Sequence, residues 1–135
     1  MPVSSGEVFN FLKLANYCIL LGQRIRTLGD EHTHLKARAG ALSLVFQELH
    51  RALTKFHDTS DDYRDVFSDL RQSCYITLCN IEPVLEKLER LKSGNAVQRG
   101  ARKLVIAVRN ETSDLSREMH NQYDILTSMV LRLNQ

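Results

Sequence analysis

The sequence predicts an all-α fold, a bundle of four helices in up-down-up-down order. Apolar residues recur every three or four positions through four long segments, which is the spacing of one face of an α-helix. Only two prolines and six glycines occur in 135 residues, so these segments run almost free of helix-breaking residues. No segment alternates apolar and polar residues as a half-buried strand would. The length and the hydrophobic content of 43% predict a single domain over residues 1–135.

The first helix is predicted to begin after Ser4 and to continue to about Thr27. Ser4 and Glu7 have the spacing of a capping box, in which each side chain bonds the other residue's backbone N–H. Gly29 and Asp30 then have the residue types that end one helix and begin the next.

The start of this helix is strongly apolar. Eleven of the 14 residues in 8–21 are apolar, so the helix is either central to the bundle or available to another apolar surface. In the second interpretation, the residues that would enter a membrane are Val8, Phe9, Phe11 and Leu12.

The second helix carries the predicted core seam. Alternating steps of four and three residues place these apolar side chains on one stripe: Leu35, Ala39, Leu42, Phe46, Leu49, Leu53 and Phe56. An antiparallel hairpin with the first helix would place Gly22 near 37–40. We expect the small residues there to allow a close approach of the two backbones.

The third and fourth helices are predicted on either side of the turn at Lys92–Asn95. The stripe of the third helix continues past Pro83 in phase, which predicts a kinked rather than a terminated helix. In the fourth helix the polar run 110–114 leaves two alternatives, a continuous helix or one divided there.

The sequence contains no motif of an enzyme, a metal site or a cofactor site. Its five histidines and three cysteines lack zinc-ligand spacing, and no phosphate-binding loop or nucleophile elbow occurs. Cys18, Cys74 and Cys79 lie at or beside apolar stripes, as reduced thiols in a reducing compartment would. We therefore expect no catalytic residue, metal, cofactor or small-molecule substrate, and a cytoplasmic location. The net charge of +2 does not indicate nucleic-acid binding.

Charge is distributed unevenly along the predicted bundle. Acidic residues cluster where the second and third helices join, at Asp58, Asp61, Asp62, Asp65 and Asp69. Residues 87–109 contain seven basic residues and one acidic residue, and the first hairpin adds more at the same end. The predicted anionic-surface residues are Arg24, Arg26, Lys36, Arg38, Arg99, Arg102 and Lys103. The alternative is that these are ordinary solvated helix ends that complement the helix dipoles.

Four stretches together resemble the fungal N-terminal helical-bundle domains related to HeLo and HeLo-like domains. They are Gly6–Phe9 with Leu14–Asn16, Leu42–Leu49, Ile81–Leu88 and Ser113–Met119. The tryptophans and the Asp-Pro that many members carry before the last helix are absent, and Ala107 and Arg109 stand there instead. The resemblance implies an N-terminal module of a longer protein that self-associates and engages membranes in cell-death signalling.

Two functions follow as predictions. The first is a non-enzymatic signalling module that forms homo-oligomers and engages anionic membranes, peripherally, through its basic end. The alternative is a soluble protein-protein interaction or dimerisation module without a membrane role.

Overall fold

The structure, a computed structural model, describes residues 10–29, 32–55, 61–92 and 98–134. Within the helices, the side chains of 54–55, 61–66, 92 and 98–104 lie outside this description. The described chain forms four α-helices and no strand, which confirms the predicted all-α class. They are α1 (Phe11–Thr27), α2 (Thr33–Lys55), α3 (Asp61–Lys92) and α4 (Gln98–Leu133).

The four helices surround one core. α1 packs against α2 and α3, and α4 packs against the same two helices, so α2 and α3 face each other across the core. Side chains from every helix are buried there, including Leu14, Phe46, Leu78, Ile81 and Met119. Burying aliphatic and aromatic surface of this kind is the main term that stabilises a bundle of this size.

Residue pairs between helices give the helix directions. Phe11 contacts Phe46, whereas Gly22 lies against Ala39, so α1 and α2 run antiparallel. The side-chain pairs Tyr17–Glu82 and Arg24–Glu89 advance together along α1 and α3, which are therefore parallel. The pairs Thr77–Glu118 and Lys87–Glu111 make α3 and α4 antiparallel. These directions are consistent with the expected up-down-up-down order.

The predicted seam of α2 lies in the core. Leu35, Leu42, Phe46 and Leu49 are fully buried, and Leu53 is partly buried against the same cluster. Phe56 lies outside the described residues.

The described part of the first helix starts later than predicted. Asn10 is its N-cap, with extended backbone at φ −68° and ψ 163°, and its side chain accepts a hydrogen bond from the Lys13 N–H at 2.9 Å. An uninterrupted helix from Ser4 to Thr27 is therefore wrong, because Asn10 is not helical. Ser4 and Glu7 lie outside the described residues, as does Asp30.

The small-residue explanation of the α1–α2 hairpin holds for only one glycine. A Cβ on Gly22 would meet the Ala39 Cβ at 4.0 Å, which is ordinary contact, and a Cβ on Gly40 would meet nothing within 4 Å. Gly29 has a different role. Its φ of 107° follows the α1 C-cap Leu28, and this is a backbone conformation that side chains disfavour.

The last helix is continuous, so the alternative of a break at 110–114 is wrong. Thr112 is buried, and its Oγ1 donates to the Arg109 carbonyl at 2.9 Å, so its hydroxyl is satisfied within the helix. Glu111 accepts from Lys87 Nζ at 2.9 Å. The polar run is thus partly solvent-facing helix and partly a contact with α3. α3 likewise continues through the exposed Pro83.

Candidate functional site

Both predicted basic segments lie at one end of the bundle. α1 ends and α2 begins there, and α3 ends and α4 begins beside them. We call this the basic end, defined by residues 24–38 and 87–109. Two helix N-termini and two C-termini meet there, so their macrodipoles largely offset each other. Any net electrostatic potential at this end must therefore come from side chains.

Two basic residues of this end, Arg24 and Lys87, form ion pairs with glutamates. Arg24 Nη2 donates to Glu89 Oε1 at 2.6 Å, and its Nη1 lies 3.8 Å from Glu82 Oε1. The hydrogen bond to Glu89 raises the pKa of Arg24, with the charges of neighbouring glutamates adding to it. Lys87 is paired in the same way with Glu111. Neither side chain is oriented toward an external anion.

Arg38 lies on the side of the bundle, in the seam between α2 and α4. Its Nη1 is 2.7 Å from Nδ1 of His120, whose Nε2 lies 3.5 Å from Asp124 Oδ2. Since a guanidinium can only donate, Nδ1 is the acceptor, and a neutral His120 carries its proton on Nε2, facing Asp124. Arg38 therefore joins two helices, and its half-buried side chain contributes little to the basic end.

Arg26 and Lys36 remain exposed at the basic end. They flank the turn between α1 and α2 and have no acidic partner within 4 Å among the described residues. Arg99, Arg102 and Lys103 belong to the first two turns of α4, and their side chains lie outside the described residues. The predicted site is thus reduced to these positions, without Arg24 and Arg38.

The same end contains a cavity that no sequence pattern indicated. It has a volume of about 820 Å³ and lies among the α1–α2 turn, the last turns of α3 and the first half of α4. Its described lining is Leu28, Gly29, His32, His34, Leu88, Leu91, Val105, Val108, Arg109 and Thr112. Arg109 is exposed and was counted only as one of many basic residues. Val108 belongs to the apolar stripe of α4, and the sequence signal for Arg109 was its position directly after that buried residue.

The seam between α1 and α3 is polar. The Tyr17 hydroxyl donates to Glu82 Oε1 at 2.7 Å, and the Tyr17 and Tyr75 rings lie 6.3 Å apart. Burial, followed by the bond to Glu82, raises the pKa of the Tyr17 phenol far above its usual range. Together with the Arg24–Glu89 pair, these contacts hold the parallel helices α1 and α3 in register.

The apolar start of α1 is divided between the core and the surface. Phe11 is 2% exposed, stacks on Phe46 at 6.0 Å and meets Phe67 edge-on at 6.3 Å. Leu12 is 42% exposed. Val8 and Phe9 lie outside the described residues. Phe11 could therefore enter a membrane only after leaving the core.

An apolar groove lies on the opposite side of the molecule from α1 and α3. Its volume is about 270 Å³, and it runs between α2 and α4. Leu44 and Leu131 form its walls and are 65% and 61% exposed, with Val45 and Val130 at its base.

Within the described ranges, no group of three metal-ligating side chains comes together, and no helix is both long and apolar enough to cross a bilayer. Comparison of the chain with protein-family models, with curated proteins and with solved structures finds no match.

Proposed function

We propose that the chain is a non-enzymatic helical-bundle signalling module that binds an anionic membrane surface through its basic end and self-associates. The observation that supports this most is the position of Arg26 and Lys36. Both are exposed on either side of the turn between α1 and α2, at the end of the bundle where α4 begins with Arg99, Arg102 and Lys103 in its sequence. Each basic residue near an anionic membrane contributes about 1 kcal/mol, so these positions can supply reversible peripheral binding. The resemblance to HeLo-like domains supports the same function.

The proposed self-association rests on the acidic residues at the opposite end of the bundle. α3 begins at Asp61, and Asp62, Asp65 and Asp69 lie in its first turns, at the end where α1 begins. The basic end of one copy is complementary in charge to this acidic end of another. A head-to-tail contact of this kind is heterologous, and it continues into rings or filaments unless geometry closes it.

We expect the folded bundle to bind at the membrane surface without inserting its first helix. Phe11 is part of the core, and removing it would expose the surfaces of Phe46 and Phe67 that it covers. Truncating a buried Phe to Ala costs about 3–5 kcal/mol, which indicates how much these core contacts contribute. Binding at the surface through cations needs no such separation.

The groove between α2 and α4 favours a second function, a soluble protein-interaction module. Leu44 and Leu131 project into solvent on either side of an apolar base, as in grooves that receive an amphipathic helix. In this alternative the partner is a protein helix with an apolar face, and lipid has no part.

Vesicle co-sedimentation separates the two functions. At low salt, the membrane module should sediment with vesicles containing phosphatidylserine and remain in solution with pure phosphatidylcholine. Raising the salt concentration should release it, because exposed charges are screened beyond about 8 Å at physiological ionic strength. If the protein remains in solution with both kinds of vesicle at low salt, the membrane function is wrong and the protein-interaction function of the groove is favoured.

A further inference from the structure

We propose that the cavity at the basic end binds a long-chain carboxylate, with the hydrocarbon among the aliphatic walls and the carboxylate at Arg109. The volume of about 820 Å³ falls in the range of about 300–1,000 Å³ typical of small-molecule sites. Three separate parts of the chain supply its walls, so the cavity is a product of the tertiary fold.

The walls select a hydrocarbon chain. Five of the described lining residues are aliphatic, and they are Leu28, Leu88, Leu91, Val105 and Val108. The exposed fraction of these side chains rises from 2% at Val108 to 38% at Val105, so the aliphatic lining extends from the core to the opening of the cavity. An extended alkyl chain lying on this gradient would remove apolar surface from water along its whole length.

The polar lining selects a negative head group. Arg109 is exposed, and His32 and His34 line the same cavity. No carboxylate belongs to the described lining, and Glu111, two residues beyond Arg109, is bonded to Lys87 at 2.9 and 3.2 Å. The Thr112 hydroxyl is already used by the Arg109 carbonyl. An anionic oxygen would therefore meet a guanidinium with no competing acid among these residues, and Arg–carboxylate pairs are among the stronger hydrogen bonds.

Other ligand classes fit this lining less well. Its described residues include no phenyl, phenol or indole ring on which a nucleobase could stack, and no acidic oxygen for a cation. A phosphate without a chain would leave the aliphatic walls uncovered. A chain with a terminal carboxylate uses both parts.

Titration calorimetry of the whole 135-residue chain with dodecanoate, below its micellar concentration, tests the proposal. We expect saturable binding of one dodecanoate per chain. Dodecyltrimethylammonium has the same chain with a positive head, and acetate has the same head without the chain. Both should bind at least about tenfold more weakly, because the ammonium amphiphile loses the charge-assisted hydrogen bond to Arg109 and acetate loses the burial of the hydrocarbon chain. Equal affinity for the cationic amphiphile, or no saturation by dodecanoate, would overturn the proposal.

Matched variants locate the site. Val105→Trp fills the cavity from its half-exposed wall, whereas Ile106→Trp makes the same change on a neighbouring side chain that is 62% exposed and not part of the lining. Val105→Trp should abolish dodecanoate binding and Ile106→Trp should preserve it, with helical circular dichroism unchanged in both. Retained binding in Val105→Trp would place the ligand elsewhere and refute the assignment.

The head group is tested by a second pair. Arg109→Gln should weaken dodecanoate binding about tenfold, as expected for the loss of one charge-assisted contact. Arg117→Gln removes an exposed arginine of the same helix that lies 3.8 Å from Asp114, and it should have no effect. Equal effects of the two substitutions would overturn the role of Arg109. Because Arg109→Gln alters an exposed side chain, this test stands even if Val105→Trp fails to fold. Dodecanoate binding is measured without vesicles, so its outcome is independent of the membrane function.

Discussion

Substituting Leu49 by Ala should destabilise the bundle strongly, and Leu44→Ala provides a matched control. Both leucines lie in α2, but Leu49 is 0% exposed and Leu44 is 65% exposed. Leu49 belongs to the core cluster with Phe46 and Leu42, where truncation leaves a cavity enclosed by neighbouring helices. Buried Leu→Ala changes cost about 2–5 kcal/mol, the sum of lost burial and the remaining cavity.

The cost is large compared with the total stability of a domain, which is about 5–15 kcal/mol. A loss of about 3 kcal/mol should lower the melting temperature by roughly 10 °C in a chain of this size. Leu44→Ala should change the unfolding free energy by no more than about 0.5 kcal/mol, as surface substitutions usually do. Guanidinium unfolding followed by helical circular dichroism measures both values. Equal losses for the two substitutions would show that the seam of α2 is not the core.

Three other predictions concern glycines, thiols and alkaline pH. Gly40→Ala should raise the unfolding free energy by about 0.5–1 kcal/mol in a denaturant titration, because an added Cβ would meet nothing within 4 Å and Gly is a poor helix former. Gly29→Ala should lower the unfolding free energy, because alanine is strained at the φ of 107° that Gly29 adopts. In the native protein, iodoacetamide should label the half-exposed Cys79 before the buried Cys18 and Cys74, and equal labelling rates by mass spectrometry would contradict the core positions. Burial raises the pKa of Cys18 and of Cys74 from 9.0 to about 12, so the folded state retains protons that the unfolded state has lost. Stability should therefore fall as pH rises from about 9 to 12, and a flat pH profile there would argue against buried thiols.

Helical spacing was sufficient to predict the interior face of α2. Leu35, Leu42 and Leu49 follow one stripe, and any helix with this pattern must bury it against neighbours. The all-α class follows from the same spacing in four segments.

The helix boundaries depended on tertiary contacts that sequence spacing does not reveal. Ser4 and Asn10 both have side chains that can cap a helix. The cap at Asn10 places Phe11 where it meets Phe46 and Phe67, rings that are far away in the sequence. The run 110–114 looked like a possible break because its residues favour caps, yet Glu111 is held by Lys87 and Thr112 is buried.

The candidate site was only partly predictable for the same reason. The order of the helices alone placed the two basic segments at one end. The partners of individual cations are distant in the sequence, because Arg24 pairs with Glu89 across 65 positions and Arg38 meets His120 across 82. The end cavity needs Leu28, Leu88 and Val108 to converge from the α1–α2 turn, α3 and α4, and no local motif encodes that convergence.

The central claim is that the position of positive charge, and not its total, attaches this domain to an anionic surface. Two triple variants with the same net charge test it. One carries Arg26→Glu, Lys36→Glu and Arg102→Glu at the basic end.

The control carries Arg51→Glu, Arg117→Glu and Arg132→Glu, on the exposed faces of α2 and α4 away from that end. The measurement is the fraction that co-sediments with phosphatidylserine vesicles at low salt, with helical circular dichroism as the folding check. The basic-end variant should remain in solution while the control sediments like the unmodified chain. An equal loss of binding in the two variants would mean that net charge alone controls binding, and the basic end would have no specific role.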